Sequence, residues 1–218
     1  MSPAYRMKKL KMDDYEVKQE NQDISEQKEN DQESPAKKDT KQEEGKKKMN
    51  PILEWVMIIA IALAAALFIN YVLIINSVVP SGSMETTIMT GSRMMGLRVT
   101  YWFSDPQQGD IIVFKYPDDP SQNFVKRVIG TPGDVVEIKG GVTYVNGEVL
   151  DEPYLKETPK VRDYGPYVVP EEHYFVMGDN RNNSNDSRYW QNTFVPRKSV
   201  LGKALFVYWP LNEIKALK

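Results

Sequence analysis

One long run of the sequence contains no charged residue, and it restricts the fold more than any other feature. The run extends from Trp55 to Val79, and residues 56–75 are apolar enough and long enough to cross a bilayer as a helix. Pro51 suits the start of a helix. A signal peptide would have a shorter apolar region, and a buried core helix would not be apolar on every side. We therefore predict a transmembrane helix over residues 52–76.

The two sides of this run differ in charge. Lysines occupy positions 46–48, and few basic residues follow the run. The positive-inside rule then places residues 1–48 in the cytoplasm. This tail is densely charged and poor in apolar residues, so we expect it to be disordered. Residues 77–218 are then predicted to form an extracytoplasmic domain, which a single transmembrane helix anchors in the lipid bilayer of the cell membrane.

The composition excludes several kinds of site. The chain has 218 residues, a formal net charge of -2, no cysteine and one histidine. A near-zero net charge gives no support for nucleic-acid binding. Without cysteine there is no disulfide, no thiolate nucleophile and no cysteine–zinc site. We predict no metal and no cofactor, and a Ser–His mechanism would have to use His173.

After the apolar run the sequence alternates in the manner of β-strands. Asn146-Gly147 is a strong signal for a two-residue hairpin. We expect a long surface loop over residues 152–170 and a turn or two of helix over residues 86–94. The fold class predicted is mainly β, with strands over residues 110–114, 123–129, 135–138, 142–145, 148–150, 174–177 and 204–209.

Two stretches contain residues that could act together in nucleophilic catalysis. Ser83 closes a Ser-Gly-Ser sequence directly after the apolar run, although such a sequence is also common in turns. Lys126 follows Phe124 by two positions, so on a strand these side chains share a face. A lysine of this kind often reaches solvent from an edge strand. If it is instead buried, its pKa falls, and the neutral amine can take a proton from a serine hydroxyl.

A third stretch, residues 178–188 (GDNRNNSNDSR), is rich in hydrogen-bonding side chains. It could be a solvated loop, and it contains two formal glycosylation sequons. A calcium loop fits poorly, because Arg181 stands where an oxygen donor is needed. As a supporting shell, Ser184 could hold the lysine amine, and Asp186 with Arg188 could fix the loop by a salt bridge.

Taken together, three stretches resemble the bacterial type I signal peptidases, which are Ser-Lys proteases. They are residues 80–84 (PSGSM), residues 126–134 (KRVIGTPGD) and residues 178–188, in the family's order and spacing after a membrane helix. Each motif is weak alone, but the three together are highly specific. The resemblance covers the chain from about residue 55 onward, and the length fits the compact form typical of Gram-positive bacteria.

The resemblance implies an antiparallel β-sheet catalytic domain behind a single membrane helix. It implies a membrane-anchored serine endopeptidase, a signal peptidase I, that cleaves signal peptides from exported preproteins after small residues in A-x-A sites. The partners implied are these signal peptides, the lipid bilayer and the protein-export machinery. A substrate strand would pair by main-chain hydrogen bonds along segments near the two catalytic residues.

The resemblance also assigns roles to matching positions. Ser83 matches the nucleophile and Lys126 the general base, and the Ser81 hydroxyl with the Ser83 backbone N–H matches the oxyanion hole. Ser184 matches the serine that orients the lysine, and Gly178 the small residue beside it. The remaining matches are a structural charge network and substrate contacts: Asp179, Arg127, Asp186 and Arg188 for the network, and Val79, Met84, Phe124 and Val125 for the substrate.

Two positions depart from the family pattern, and two rival interpretations stay open. Thr86 stands where the family usually has proline, and Ser92 where it often has an acidic residue. These departures affect loop rigidity more than chemistry. One rival is a Ser–His hydrolase that uses His173, and the other is a catalytically inactive, membrane-anchored binding module.

Overall fold

The computed structural model describes residues 50–218 of the chain. Glu54–Lys218 form one compact unit, and of the other unit, Met1–Leu53, only residues 50–53 are described. The disorder predicted for residues 1–48 lies outside the described residues.

The described chain begins with an exposed apolar helix. Helix α1 (Pro51–Phe68) continues through a π-helical turn, Ile69–Leu73. The Asn50 side chain accepts the Ile52 N–H at 3.1 Å, which satisfies one of the free amides of the first turn. The whole stretch Pro51–Leu73 is 23 residues long with a mean hydropathy of 2.6, and none of its most apolar window is buried against protein. Its length and composition suit a bilayer span.

The helix ends earlier than the sequence predicted. Residues 74–76 were assigned to it, but they open a strand, and Ile75 is buried in the core. The Arg98 backbone N–H donates to the Leu73 carbonyl at 2.9 Å, so the helix end is tied directly to the folded domain. Apolar composition alone cannot distinguish the last turn of a span from a buried strand.

Twelve strands follow, all paired antiparallel: β1 (Ile74–Val78), β2 (Arg93–Leu97), β3 (Ile111–Tyr116), β4 (Asp119–Gly130), β5 (Val135–Lys139), β6 (Val142–Val145), β7 (Glu148–Val149), β8 (Tyr164–Val168), β9 (His173–Met177), β10 (Val195–Pro196), β11 (Val200–Trp209) and β12 (Lys215–Ala216). The larger sheet runs β1-β2-β11-β3-β4-β9-β10, with β12 on β11. The smaller sheet runs β7-β6-β5-β8. The predicted fold class, mainly β and antiparallel after one apolar helix, is confirmed.

Local sequence accounts for most of these strands. The predicted hairpin joins β6 to β7, where Asn146 and Gly147 both have positive φ (53° and 85°), as this type of tight turn requires. Strand β8 was missed, because its Gly165-Pro166 pair looks like loop. It lies on the outside of the small sheet, where it pairs only with β5, and an edge strand tolerates proline.

The hydrophobic core fixes the segment that contains the Ser-Gly-Ser sequence. Met84 and Ile88 have no exposed surface and belong to a core cluster with Ile111, Val113 and Val207. A single turn of 3₁₀ helix, Gly82–Met84, replaces the helix predicted over residues 86–94. The turn is therefore anchored on its C-terminal side by two buried side chains.

Candidate active site

Ser83 lies in the anchored turn at the end of a groove. Its side chain is almost buried, with 6% of the residue exposed. The turn receives two hydrogen bonds from Asn180, whose side-chain amide donates to the Gly82 carbonyl at 2.9 Å and whose backbone N–H donates to the Ser83 carbonyl at 3.0 Å. The hydroxyl of Ser83 is thus carried on a backbone held from two sides.

Lys126 reaches this hydroxyl from strand β4. Its Nζ lies 2.6 Å from Ser83 Oγ, and the residue is 3% exposed. Burial lowers the pKa of Lys126 from 10.5 to about 8, although the carboxylates of Asp186 and Asp179 act in the opposite direction. A buried amine with this pKa is partly neutral near physiological pH. It can then act as a base toward the serine.

Ser81 lies on the other side of the Ser83 hydroxyl. The two serine Oγ atoms are 3.3 Å apart, and either can be the donor. Ser81 has extended backbone angles and directly precedes the 3₁₀ turn that contains Ser83. Three polar side-chain atoms, from two serines and one lysine, therefore form a continuous row.

A groove of about 460 Å³ runs past this row. Of the side chains expected to contact a substrate, Val79, Phe124 and Val125 line it. Met84 does not, because it is fully buried in the core. The prediction for Met84 failed because the turn points successive side chains in different directions.

The groove lies between two strand segments with free edges. β1 is the end strand of the larger sheet, so only one of its sides is paired. In β4, residues 123–126 pair with β3, whereas β9 pairs only from Arg127 onward. Unpaired main-chain groups on both sides of a groove suit the binding of an extended peptide.

A buried ion pair holds the loop after β9 against β4. Arg127 points to the opposite face from Lys126 and donates to both carboxylate oxygens of Asp179, at 2.9 and 2.7 Å. It also donates to the carbonyls of Gly109 and Lys218, at 2.8 Å each. Both side chains of the pair are at most 3% exposed. Thr87 donates its hydroxyl to Asp179 at 2.5 Å, which links the pair to the segment after Ser83.

A second ion pair shapes the same loop. Arg188 donates to both oxygens of Asp186, at 2.8 and 2.9 Å, and Asp186 accepts the Gly178 N–H at 3.1 Å. A side chain at Gly178 would collide with Ser184 Oγ and with the Ser83 carbonyl. Only glycine leaves the room these two groups occupy.

Ser184 lies next to Gly178, but the structure shows no hydrogen bond from it to Lys126. Among the described residues its buried Oγ has no partner. The residue is only 9% exposed, so its hydroxyl is largely shielded from water.

Sequence reasoning missed two supporting residues in this loop, Asn180 and Arg181, and it missed the partner of Arg181 outside the loop. Arg181 was read only as an argument against calcium, yet it is buried, pairs with Glu152, and donates to Thr143 at 2.8 Å. Asn180 was not assigned any role. Glu152 lies within the segment predicted to be surface loop, so only the tertiary structure shows its pairing with Arg181.

The lone histidine lies away from the Ser83 hydroxyl. His173 is the first residue of β9, and its Nδ1 contacts the Glu171 carbonyl at 2.7 Å. The end of β9 nearest Ser83 is Met177, and at the usual rise per residue His173 lies about 13 Å from Met177 along the strand. A Ser–His pair is therefore not formed. Among residues 50–218, no group of three or more His, Asp or Glu side chains is placed to hold a metal ion.

A buried serine against a buried lysine beside a groove resembles the serine–lysine variant of the serine-hydrolase triad. The family profile "Signal peptidase, peptidase S26" matches residues 52–209. The chain belongs to this family.

The names of similar proteins agree with this family assignment. The chain is 44% identical over 144 residues to a probable signal peptidase I-2 of Synechocystis, a match that covers 64% of this chain and 65% of that protein. It is 38% identical over 177 residues to signal peptidase I of Bacillus licheniformis, covering 77% and 94%. A signal peptidase I structure from Enterococcus faecalis is 38% identical, covers 46% of this chain and 97% of that chain, and has a TM-score of 0.40.

Proposed function

We propose that this chain is a membrane-anchored serine endopeptidase that removes N-terminal signal peptides from exported preproteins. The observation that carries the proposal is the 2.6 Å contact between Ser83 Oγ and the buried amine of Lys126, at one end of a groove in a member of the signal peptidase family. Burial of both groups shields the contact from water and lowers the pKa of the amine toward physiological pH.

In this mechanism neutral Lys126 accepts the hydroxyl proton as Ser83 Oγ attacks the substrate carbonyl. The oxyanion that forms is stabilised by the Ser83 N–H and the Ser81 hydroxyl. Collapse of the intermediate breaks the peptide bond, and Lys126 returns the proton to the leaving amine. Water, deprotonated by the same amine, then frees the acyl group from Ser83. Loss of one oxyanion donor typically raises the barrier by about 3 kcal/mol.

The supporting residues keep these groups in place. The Arg127–Asp179 and Arg188–Asp186 pairs hold the loop whose Gly178 and Ser184 lie beside the reacting groups. The Ser184 hydroxyl has no partner within residues 50–218, so after a side-chain rotation it is available to accept a hydrogen bond from the lysine ammonium. In that role it would orient Lys126 toward Ser83.

The groove supports an extended substrate. The free edges of β1 and β4 can pair with the main chain of a preprotein, and Val79, Phe124 and Val125 form its apolar lining. Shallow apolar pockets in this lining would take the small residues of an A-x-A site. Helix α1 would anchor the domain at the outer membrane surface, with residues 1–48 in the cytoplasm.

The proposal is tested by incubating the full chain in lipid vesicles with a preprotein and mapping the cut by mass spectrometry. We expect one cut after a small residue at the end of the signal peptide. Ser83→Ala should abolish cleavage, whereas Ser121→Ala, at an exposed serine of β4, should leave it intact. Cleavage by the Ser83→Ala chain at the wild-type rate, or no cleavage by the wild-type chain, would contradict the proposed function.

A further inference from the structure

The backbone that would bind the oxyanion is held by Asn180. The Asn180 Nδ2–H donates to the Gly82 carbonyl at 2.9 Å, and the residue is 3% exposed. The amide must have this orientation, because in the flipped orientation its oxygen would face the carbonyl oxygen of Gly82. The contact is therefore a directed hydrogen bond that is partly shielded from water.

The Gly82 carbonyl and the Ser83 N–H belong to the same peptide unit. This unit is not among the cis peptide bonds found in residues 50–218, so it is trans and planar, and its C=O and N–H point in opposite directions. A bond that fixes the carbonyl toward Asn180 therefore fixes the N–H toward the opposite side. Among the described residues, no hydrogen bond from that N–H to an acceptor outside the turn is found.

Asn180 also controls the next peptide unit. Its backbone N–H donates to the Ser83 carbonyl at 3.0 Å, so both planes that flank the Ser83 Cα are held by one residue. The Gly82 carbonyl accepts a second bond, from the Glu85 N–H at 3.2 Å, which belongs to the turn itself. The side-chain bond from Asn180 is the shorter of the two and comes from outside the turn.

We propose that Asn180 is a positioning residue for the oxyanion hole, which it serves by aiming the Ser83 N–H at the reacting carbonyl through the Gly82–Ser83 peptide. This inference rests on the proposed function, because it assumes that the Ser83 N–H binds the oxyanion. A hydrogen bond to the carbonyl also polarises the amide, which makes its N–H a stronger donor. The contribution appears when negative charge develops and not when substrate binds.

The buried Oδ1 of Asn180 allows a positioning role to be distinguished from a structural role by the stability of variants. It has no hydrogen-bond partner among the described residues. An unpaired buried acceptor is unfavourable for the folded state. Asn180→Leu removes both the donor and this unpaired oxygen at similar volume, and Asn180→Ala removes them without the risk of overpacking. Loss of activity without loss of stability is therefore the expected signature.

The test measures kcat and KM for a signal-peptide substrate with the full chain in detergent. It also measures the affinity of a peptide aldehyde ending in alanine, whose adduct with Ser83 places an oxygen in the oxyanion position. For both variants we expect kcat to fall about 10- to 100-fold, KM to stay within about twofold, and aldehyde affinity to fall in parallel with kcat. Asn182→Ala is the matched control, because Asn182 lies in the same loop and contacts Glu157, Thr158 and Lys160 instead.

Unchanged kcat in a folded variant would overturn the inference, and so would a fall in kcat without a fall in aldehyde affinity. Wild-type and Ser83→Ala chains are assayed in parallel. If wild type does not cleave, or Ser83→Ala cleaves equally well, the proposed function itself has failed. If wild type cleaves, Ser83→Ala does not, and the Asn180 variants cleave as wild type does, the proposed function stands and the positioning role of Asn180 is wrong.

Discussion

Lys126 combines two properties that oppose each other, reactivity and stability. Its burial lowers the pKa to about 8, which makes a neutral base accessible. The same burial penalises the folded chain at neutral pH, because the ammonium is taken out of water. The nearby carboxylates of Asp186 and Asp179 offset part of this penalty, since they favour the charged form. A site of this kind is expected to be less stable than an inert core.

We therefore predict that Lys126→Met makes the protein inactive and more stable. A pKa lowered from 10.5 to about 8 corresponds to about 3 kcal/mol disfavouring the charged form in the folded state. At neutral pH the free energy of unfolding should rise by about 1–3 kcal/mol, measured by thermal denaturation in detergent. Lys139→Met, at an exposed lysine, is the control.

The sign of the pH dependence gives a further check on the same variant. Between pH 8 and 10.5 the unfolded chain binds a proton that folded Lys126 has released, so wild-type stability rises with pH through this window. The advantage of Lys126→Met should shrink accordingly. A methionine variant that is less stable than wild type at neutral pH would contradict the assigned desolvation.

The sequence indicated which residues to examine but not how they meet. The spacing of the three motifs pointed to Ser83 and Lys126, since the family places a serine and a lysine there. Their 2.6 Å contact depends on how β4 lies beside the turn, and no local pattern specifies that. Asn180 was missed because its contacts are to backbone atoms almost a hundred residues earlier.

Strand β4 connects the chemistry to the scaffold. Consecutive residues point to opposite faces, so Lys126 faces Ser83 while Arg127 pairs with Asp179. Arg127 also donates a hydrogen bond to the backbone oxygen of Lys218. Tyr154 stacks on its guanidinium at 3.9 Å. Movement of this arginine would shift the strand that carries the base.

We predict that Asp179→Asn destabilises the whole domain. It leaves the buried Arg127 guanidinium without its counter-charge, a change that costs about 3–5 kcal/mol when both groups are buried. The denaturation midpoint in detergent should fall by many degrees. Glu137→Gln breaks a solvent-accessible pair with Lys139 and should change the free energy of unfolding by less than about 1 kcal/mol. Equal, small effects of both changes would show that the buried pair is not structural.

Strands were predictable where side-chain pattern and turn chemistry agreed. Residues 142–145 were placed with both ends correct, because the following Asn146-Gly147 marks the turn without ambiguity. Strand β8 was missed, and the last three residues of the predicted helix form the first part of β1. In both cases tertiary pairing with another strand decided the outcome, against what the local residues favour.

At the scale of the whole molecule, the apolar helix leads directly into the sheet that carries the site. Strand β1 begins at the residue after Leu73, and its last two residues, Ser77 and Val78, line the groove. A membrane-embedded α1 would therefore hold the groove within a few strand residues of the bilayer. A signal peptide in the same bilayer would present its end at a similar height.

The absence of cysteine makes the membrane topology testable with single labels. Ser25→Cys, in the tail, should be protected from a membrane-impermeant maleimide in intact spheroplasts. Glu148→Cys, at an exposed position of β7, should be labelled under the same conditions. Both should react after the membrane is dissolved, which controls for intrinsic reactivity. Labelling of the tail but not the domain would reverse the orientation proposed above.

The central claim is that neutral Lys126 activates Ser83. The most direct measurement is the rate at which a mechanism-based acylating probe modifies Ser83, followed by intact-protein mass spectrometry as a function of pH. Lys126 is protonated below its pKa, so the rate should rise with pH and level off above about 8. The Lys126→Met chain should react about 10²–10⁴ times more slowly, with no such rise. A wild-type rate that is flat with pH, or acylation of Lys126→Met at the wild-type rate, would contradict the claim.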